Sequence, residues 1–228
     1  MRHKLLPVVL SLIAGSADVI SFLGLGGLFT AHITGNLVIL AAHIVACQSA
    51  SIALLLSVPM FMLSLGLTSV LAAGVERAGR SSLAFLLLLQ FVLLAASFVL
   101  CVVAGPRADP KTAIAIVAGM LGVSALAVQN ALVQISLADV PSTAVVTTNL
   151  TRLTMDLGDI LLKRDSADVA AARRRAHHTW PVIVGFTAGA ALGAWCFANA
   201  GLWSLAMPAA LALLAFFLGL QAGSVRAE

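Results

Sequence analysis

An aspartate, Asp18, stands inside an apolar run that extends from Leu5 to Leu28. If that run crosses a bilayer, a carboxylate there costs on the order of 3 kcal/mol unless it is paired, protonated or facing water. Two chemistries fit. Asp18 is a site that couples to a proton or cation, or it is a structural carboxylate satisfied by nearby hydroxyl, amide and backbone N–H groups. Beside it lies a short polar island, Thr30-Ala31-His32-Ile33-Thr34-Gly35-Asn36-Leu37. The island recurs 113 residues later as Thr143-Ala144-Val145-Val146-Thr147-Thr148-Asn149-Leu150, with five of eight positions identical. Thr34, Gly35 and Asn36 in the first copy, and Thr147, Thr148 and Asn149 in the second, are of the types that cap helix N-termini. Two such N-termini facing each other would present unpaired N–H groups and partial positive charge, which suits an anionic or carbonyl-bearing ligand. Alternatively, each island makes a tight turn and satisfies itself. Gln129 and Asn130 are polar inside a later apolar run. They either bond a solute or join helices, and joining is the commoner use. The candidate substrate-binding set is therefore Asp18, Thr30, His32, Thr34, Gly35, Asn36, Gln129, Asn130, Thr143, Thr147, Thr148 and Asn149.

Other chemistries find little footing. His32 and His43 are eleven residues apart with the expected break between them, and no further ligands converge at metal-site spacing. Packing or pore-lining histidines are expected, with no metal and no cofactor. Cys47, Cys101 and Cys196 are odd in number and far apart, which suits small apolar residues within helices. No G-x-S-x-G, H-E-x-x-H or phosphate loop occurs, so an enzyme is not expected. Arg152, Asp156, Asp159 and Lys163 fall at i, i+4, i+7 and i+11, so they share one helix face. That stripe either lines an aqueous cytoplasmic vestibule or belongs to an amphipathic helix at the membrane interface, with a solvated Arg152–Asp156 pair. The basic loop that follows favours the interface. His177 and His178, next to Arg173-Arg174-Arg175, read as a cytosolic face near lipid headgroups.

The elements that must position these residues follow from composition. Of 228 residues, 61% are hydrophobic and 10% charged, against about 25% charged in soluble domains. A surface with so few charges is built for lipid, so the bilayer is the expected partner. The net charge of +4 sits in short loops rather than in a nucleic-acid patch. Six runs are long enough to span, at about Leu5–Leu28, Ile52–Val75, Leu83–Ala104, Thr112–Leu137, Pro181–Ala200 and Trp203–Gln221. The N-terminal run outlasts a secretory signal and is expected to remain as the first span. Leu37–Cys47 is too short to cross and reads as a re-entrant half-helix. Asn149–Leu162 is its amphipathic counterpart. Lys163–Thr179 is the one hydrophilic stretch. Pro59 and Pro208 should kink spans 2 and 6.

Placing the N-terminus in the cytoplasm puts Arg2, Lys4, Arg77, Arg80, Arg152, Lys163, Arg164, Arg173, Arg174, Arg175 and Arg226 inside, and only Arg107 and Lys111 outside. The positive-inside rule then backs both ends cytoplasmic. Three spans per half is odd, so the halves, residues 1–104 and 112–222 of one membrane domain spanning 1–228, must insert with opposite orientation. The expected fold is all-α integral membrane: six transmembrane helices as two inverted three-helix repeats, each with a broken or re-entrant half-helix after its first span. Gly185, Gly189 and Gly193 give a close-packing face on span 5, within the fold or in a homo-oligomer.

Gly15-Ser16-Ala17-Asp18, then Phe22 through Asn36, resemble the signature of the YoaK-type family of uncharacterised bacterial inner-membrane proteins. Gln129-Asn130 and the Thr147-Thr148 region look like that family's second-half pattern. The resemblance covers essentially the whole chain. It implies a six-span inner-membrane protein of unknown function, described at most as a candidate transporter, and names no substrate. The expected activity is a secondary transporter or channel for a small solute, anionic or carbonyl-bearing and coupled to protons, with a midplane site between the half-helices. The alternative is a membrane scaffold or sensor acting through helix packing and the basic cytoplasmic loop.

Overall fold

The computed structural model describes residues 5–47, 51–137, 140–162 and 166–224. Arg2, Lys4, Lys163, Arg164 and Arg226, which entered the charge count, lie outside the described residues. The described chain is helical, with no strand: α1 (Leu5–Gly24), α2 (Ile33–Val45), α3 (Ile52–Arg77), α4 (Ser82–Ala104), α5 (Ala113–Ser136), α6 (Val146–Leu161), α7 (Ser166–Ala200) and α8 (Ala206–Ser224), with a 3-10 turn at Gly201–Leu205 before α8. Five stretches are long and apolar enough to cross a membrane, the last covering α7, the turn and α8 together. Large apolar side chains such as Leu55, Met62, Leu67 and Val70 of α3 stand exposed. That is the surface of a multi-pass membrane protein, where lipid replaces water.

α1 and α5 form the centre. About 72% of each is buried, against 22% for α3 and 33% for α4. α1 packs on α7 and α8, α5 packs on α3 and α4, α2 leans on α3 as α6 leans on α7, and α4 meets α8. Exchanging the first four helices for the last four leaves this pattern unchanged. Leu25 and Leu28, just past α1, reach Gly119 near the start of α5. Leu10, near the start of α1, is bonded by Gln129 near the end of α5. The two central helices therefore run antiparallel. Gly26 faces Pro110, and Leu202 N–H donates to the Pro106 carbonyl (2.9 Å), so the loops after α1, α4 and α7 share one end. Ser82 reaches both Glu76 and Ser136, which gathers the end of α3, the start of α4 and the end of α5 at the other.

Several boundaries differ from expectation. α1 stops at Gly24 rather than Leu28, because Gly26 and Gly27 take φ of +70° and +81°, conformations a helix cannot continue through. Most of the hydrophilic stretch expected as a loop is the first part of α7, which runs unbroken through Pro181. Ala and Arg are strong helix formers, and α6 packs along this segment. α8 begins at Ala206, so Pro208 lies in its first turn, where proline is tolerated, and not mid-span. The glycine face of α7 is occupied within the chain. A Cβ on Gly185, Gly189 or Gly193 would lie within about 3 Å of Val8, Leu12 or Ser16 of α1. Of the two uses expected for this face, packing within the fold is the one seen, since α1 fills it.

Candidate functional site

Asp18 is 3% exposed on the inner face of α1, six residues before its end. That is about 9 Å along the helix. The chain past Gly24 turns back to that level. Asp18 Oδ1 accepts from the backbone N–H groups of Thr30 (2.8 Å) and Ala31 (2.6 Å) and from the Thr30 hydroxyl (3.1 Å). Asp18 Oδ2 meets His32 Nδ1. The ring of His32 is further held edge-on by Phe29 and Phe186. The first island is thus a loop hung on one carboxylate, with the positive end of α2 directly behind it.

The asparagines act differently from expectation. α2 begins at Ile33 and α6 at Val146, and neither N-cap residue, His32 or Val145, makes a side-chain cap bond. Asn36 and Asn149 are each the fourth residue of their helix. Helical Cα–Cβ bonds tilt toward the N-terminus, so both side chains reach back over the loop. Asn36 bonds both the N–H and the carbonyl of Phe29 (2.8 Å each), and Asn149 Nδ2 donates to the carbonyl of Ser142 (2.6 Å). Each clamp spans seven residues, so the islands correspond in structure as well as in sequence, although Asn36 makes two bonds and Asn149 one. Thr34 and Thr147, each the second residue of its helix, are exposed, as is Thr148. Their expected capping role is corrected, since they lie inside helices whose N-cap residues are His32 and Val145. Gly35 lies half-buried under the Phe29 ring, which a Cβ would meet at 2.9 Å.

The second island hangs on an amide. Gln129 Nε2 donates to Thr143 Oγ1 and to the Leu10 carbonyl (2.9 Å each), while its Oε1 accepts from Gln90 of α4 (2.7 Å). Thr143 matches Thr30, but position 131, equivalent to Asp18, is Ala131. Asn130 is separate: it bonds the Leu126 carbonyl and lines a cavity of about 280 Å³ with Gln134, Val140 and Ser142. The islands do not share one level. Asp18 marks the first on α1 and Leu10 the second, eight residues and so about 12 Å apart. The expected midplane meeting of two half-helix N-termini is replaced by two anchored loops on either side of the centre.

The stripe on α6 also pairs differently. Asp156 is 4% exposed and binds Arg175 of α7 through Nε (2.8 Å) and Nη2, rather than Arg152 one turn away. Sequence reading missed Arg175 as its partner, and it missed Gln90. A glutamine inside an apolar run was the available signal for Gln90, the same one that exposed Gln129. Among the described residues no His, Cys, Asp and Glu side chains gather at metal-binding distance.

His32 lies in the loop between α1 and α2, outside the five apolar spans. The hydrogen bond to Asp18 is the main cause that raises its affinity for a proton above the ordinary 6.5. Burial opposes this and the charge of Asp18 adds to it. A raised value in the folded state stabilises fully below 6.5 and loses that contribution as pH climbs through the raised value. Melting temperature in detergent should fall as pH rises above about 6.5, and His32→Gln should flatten that slope. An unchanged slope in the variant would remove His32 from the account.

A family model described as a protein of unknown function (DUF1275) matches residues 6–226. No curated protein and no solved structure matches the chain.

Proposed function

The chain belongs to this family, and we propose that it is a bacterial inner-membrane transporter that moves a small anion together with a proton carried by the Asp18–His32 pair. The paired islands carry the reading. Each is irregular backbone turned back into an apolar bundle, tied by a threonine to the span before it and clamped by an asparagine. Such backbone persists at membrane depth only where protein or an aqueous cavity surrounds it. Matched interruptions in two halves are characteristic of solute sites in transporters.

The antiparallel α1 and α5 and the exchangeable packing pattern support six spans in two inverted halves, formed by α1, α3 and α4 and by α5, α7 and α8. Arg77, Arg80, Arg152 and Arg173 to Arg175 gather at the end where α1 begins, and Arg107 and Lys111 at the other. That distribution favours cytoplasmic termini.

At rest the Asp18 carboxylate occupies the Thr30 and Ala31 N–H groups. A solute anion competes for the same donors, and a proton shared by the Asp18–His32 pair travels with it. One proton therefore accompanies one anion, and no bond in the solute is made or broken. The scaffold alternative loses its glycine face to α1 and has no comparable support.

The test uses proteoliposomes with a trapped pH dye, challenged with inward gradients of phosphate, sulfate, succinate or glutamate. At least one anion should acidify the lumen with the wild-type protein and fail to do so with Asp18→Asn, at equal reconstitution. No proton movement with any of the four, or unchanged rates in the variant, would refute anion symport.

A further inference from the structure

A cavity of about 740 Å³ lies between α6 and α7, away from Asp18. Pockets for small molecules run from about 300 to 1,000 Å³. Among the described residues its charged lining is Arg152, Arg174 and Arg175 with Asp156 and Asp159, three positive groups against two negative. Arg175 is spent on Asp156 Oδ1. Asp156 Oδ2 is buried with no donor among the described residues. A buried carboxylate oxygen without a partner is rare in folded proteins and needs an explanation.

We propose that this cavity binds a compact zwitterion, its protonated amine on Asp156 Oδ2 and its oxyanion between Arg152 and Arg174. A bare anion would meet the lone pairs of Oδ2. A bare cation would meet the two arginines. A molecule bearing both groups satisfies each with charge-assisted hydrogen bonds. Phosphoethanolamine has this chemistry, either free or as the head of phosphatidylethanolamine. The exposed Met155 beside the charged stripe gives a lipid chain an apolar exit. The inference stands apart from proton coupling at Asp18, because it concerns binding alone.

The probe is O-phosphoethanolamine, titrated into purified full-length protein in detergent and followed by calorimetry, with phosphate and ethanolamine as half-ligands. The whole molecule should bind at least about tenfold more tightly than either half, the worth of one charge-assisted contact. Asp156→Asn and Arg152→Gln should each weaken it by about the same factor. Asp109→Asn, at the opposite end of the bundle, should not. In a second arm, nanodiscs of phosphatidylethanolamine or phosphatidylglycerol are exchanged and the lipid retained by the protein is weighed. Retention of phosphatidylethanolamine that Arg152→Gln abolishes identifies the lipid as the source; binding of the soluble probe alone identifies a free solute. Should Asp156→Asn misfold, Arg152→Gln carries the test, because Arg152 is exposed. Equal affinity for phosphate and phosphoethanolamine, no loss in Arg152→Gln, or no binding of either form overturns the proposal.

Discussion

Replacing Asp18 with leucine should lower the melting temperature in detergent by about 10 °C or more, the largest effect of any single polar substitution in the chain. The side chain is buried, and three groups of the first island converge on its Oδ1. Leucine leaves the Thr30 and Ala31 N–H groups without an acceptor where water does not reach. Each orphaned donor costs about 1–3 kcal/mol, and the two together consume a large share of the 5–15 kcal/mol that holds a typical domain. His32 loses its partner as well. Asp18→Asn keeps an acceptor for both N–H groups and presents an amide to His32, which can answer as a neutral ring. Its loss should be about half as large or less. Fluorimetric melting of wild type, Asp18→Asn and Asp18→Leu should therefore fall in that order. A leucine variant within about 2 °C of wild type would mean that the loop is held by something other than this carboxylate.

The same residue illustrates what the sequence could and could not disclose. A carboxylate in an apolar run is conspicuous because its cost in lipid is high, and the 113-residue repeat is conspicuous because polar segments are scarce here. Neither reveals depth. Reading the first span to Leu28 put Asp18 near its middle, while the glycines after Gly24 end the helix early and leave Asp18 in its last third. The asparagine clamps were legible as a repeat but not as a geometry. Whether Asn36 caps a helix or reaches back over a loop depends on whether the helix starts just after it or three residues before it, at Ile33. Charge patterns misled where a partner was remote in sequence. Arg152 and Asp156 sit one turn apart and read as a local pair, yet Asp156 is buried and Arg175 reaches it from α7 across 19 residues. The run Arg173 to Arg175 read as a loop because it is hydrophilic. It is helix because its residues favour helix and α6 covers it. What the sequence conveys well is which segments avoid water; which side chains meet is set by packing between segments.

The crossing of α1 and α7 should be nearly as sensitive as Asp18, though a glycine there has no polar side chain to lose. Gly15 and Gly189 interlock there. A Cβ on Gly189 would lie 2.4 Å from the Leu12 carbonyl oxygen, and one on Gly15 would lie 2.2 Å from that of Phe186. These neighbours are backbone, so neither can rotate aside, and a single methyl must force two helices apart along their whole contact. Overpacking a well-fitted core costs about 1–3 kcal/mol and more where backbone must move, so Gly189→Ala should lower the melting temperature by about 5–10 °C. Gly158 on α6 is the control, since nothing lies within 4 Å of its Cβ position. Gly158→Ala removes backbone freedom from the unfolded chain and should stabilise by up to about 1 kcal/mol. The two alanines are chemically identical and should move the melting point in opposite directions. Size-exclusion profiles separate the remaining possibility. If Gly189→Ala changed the oligomer and left the melting temperature alone, the glycine face would be turned to a neighbouring protein rather than to α1.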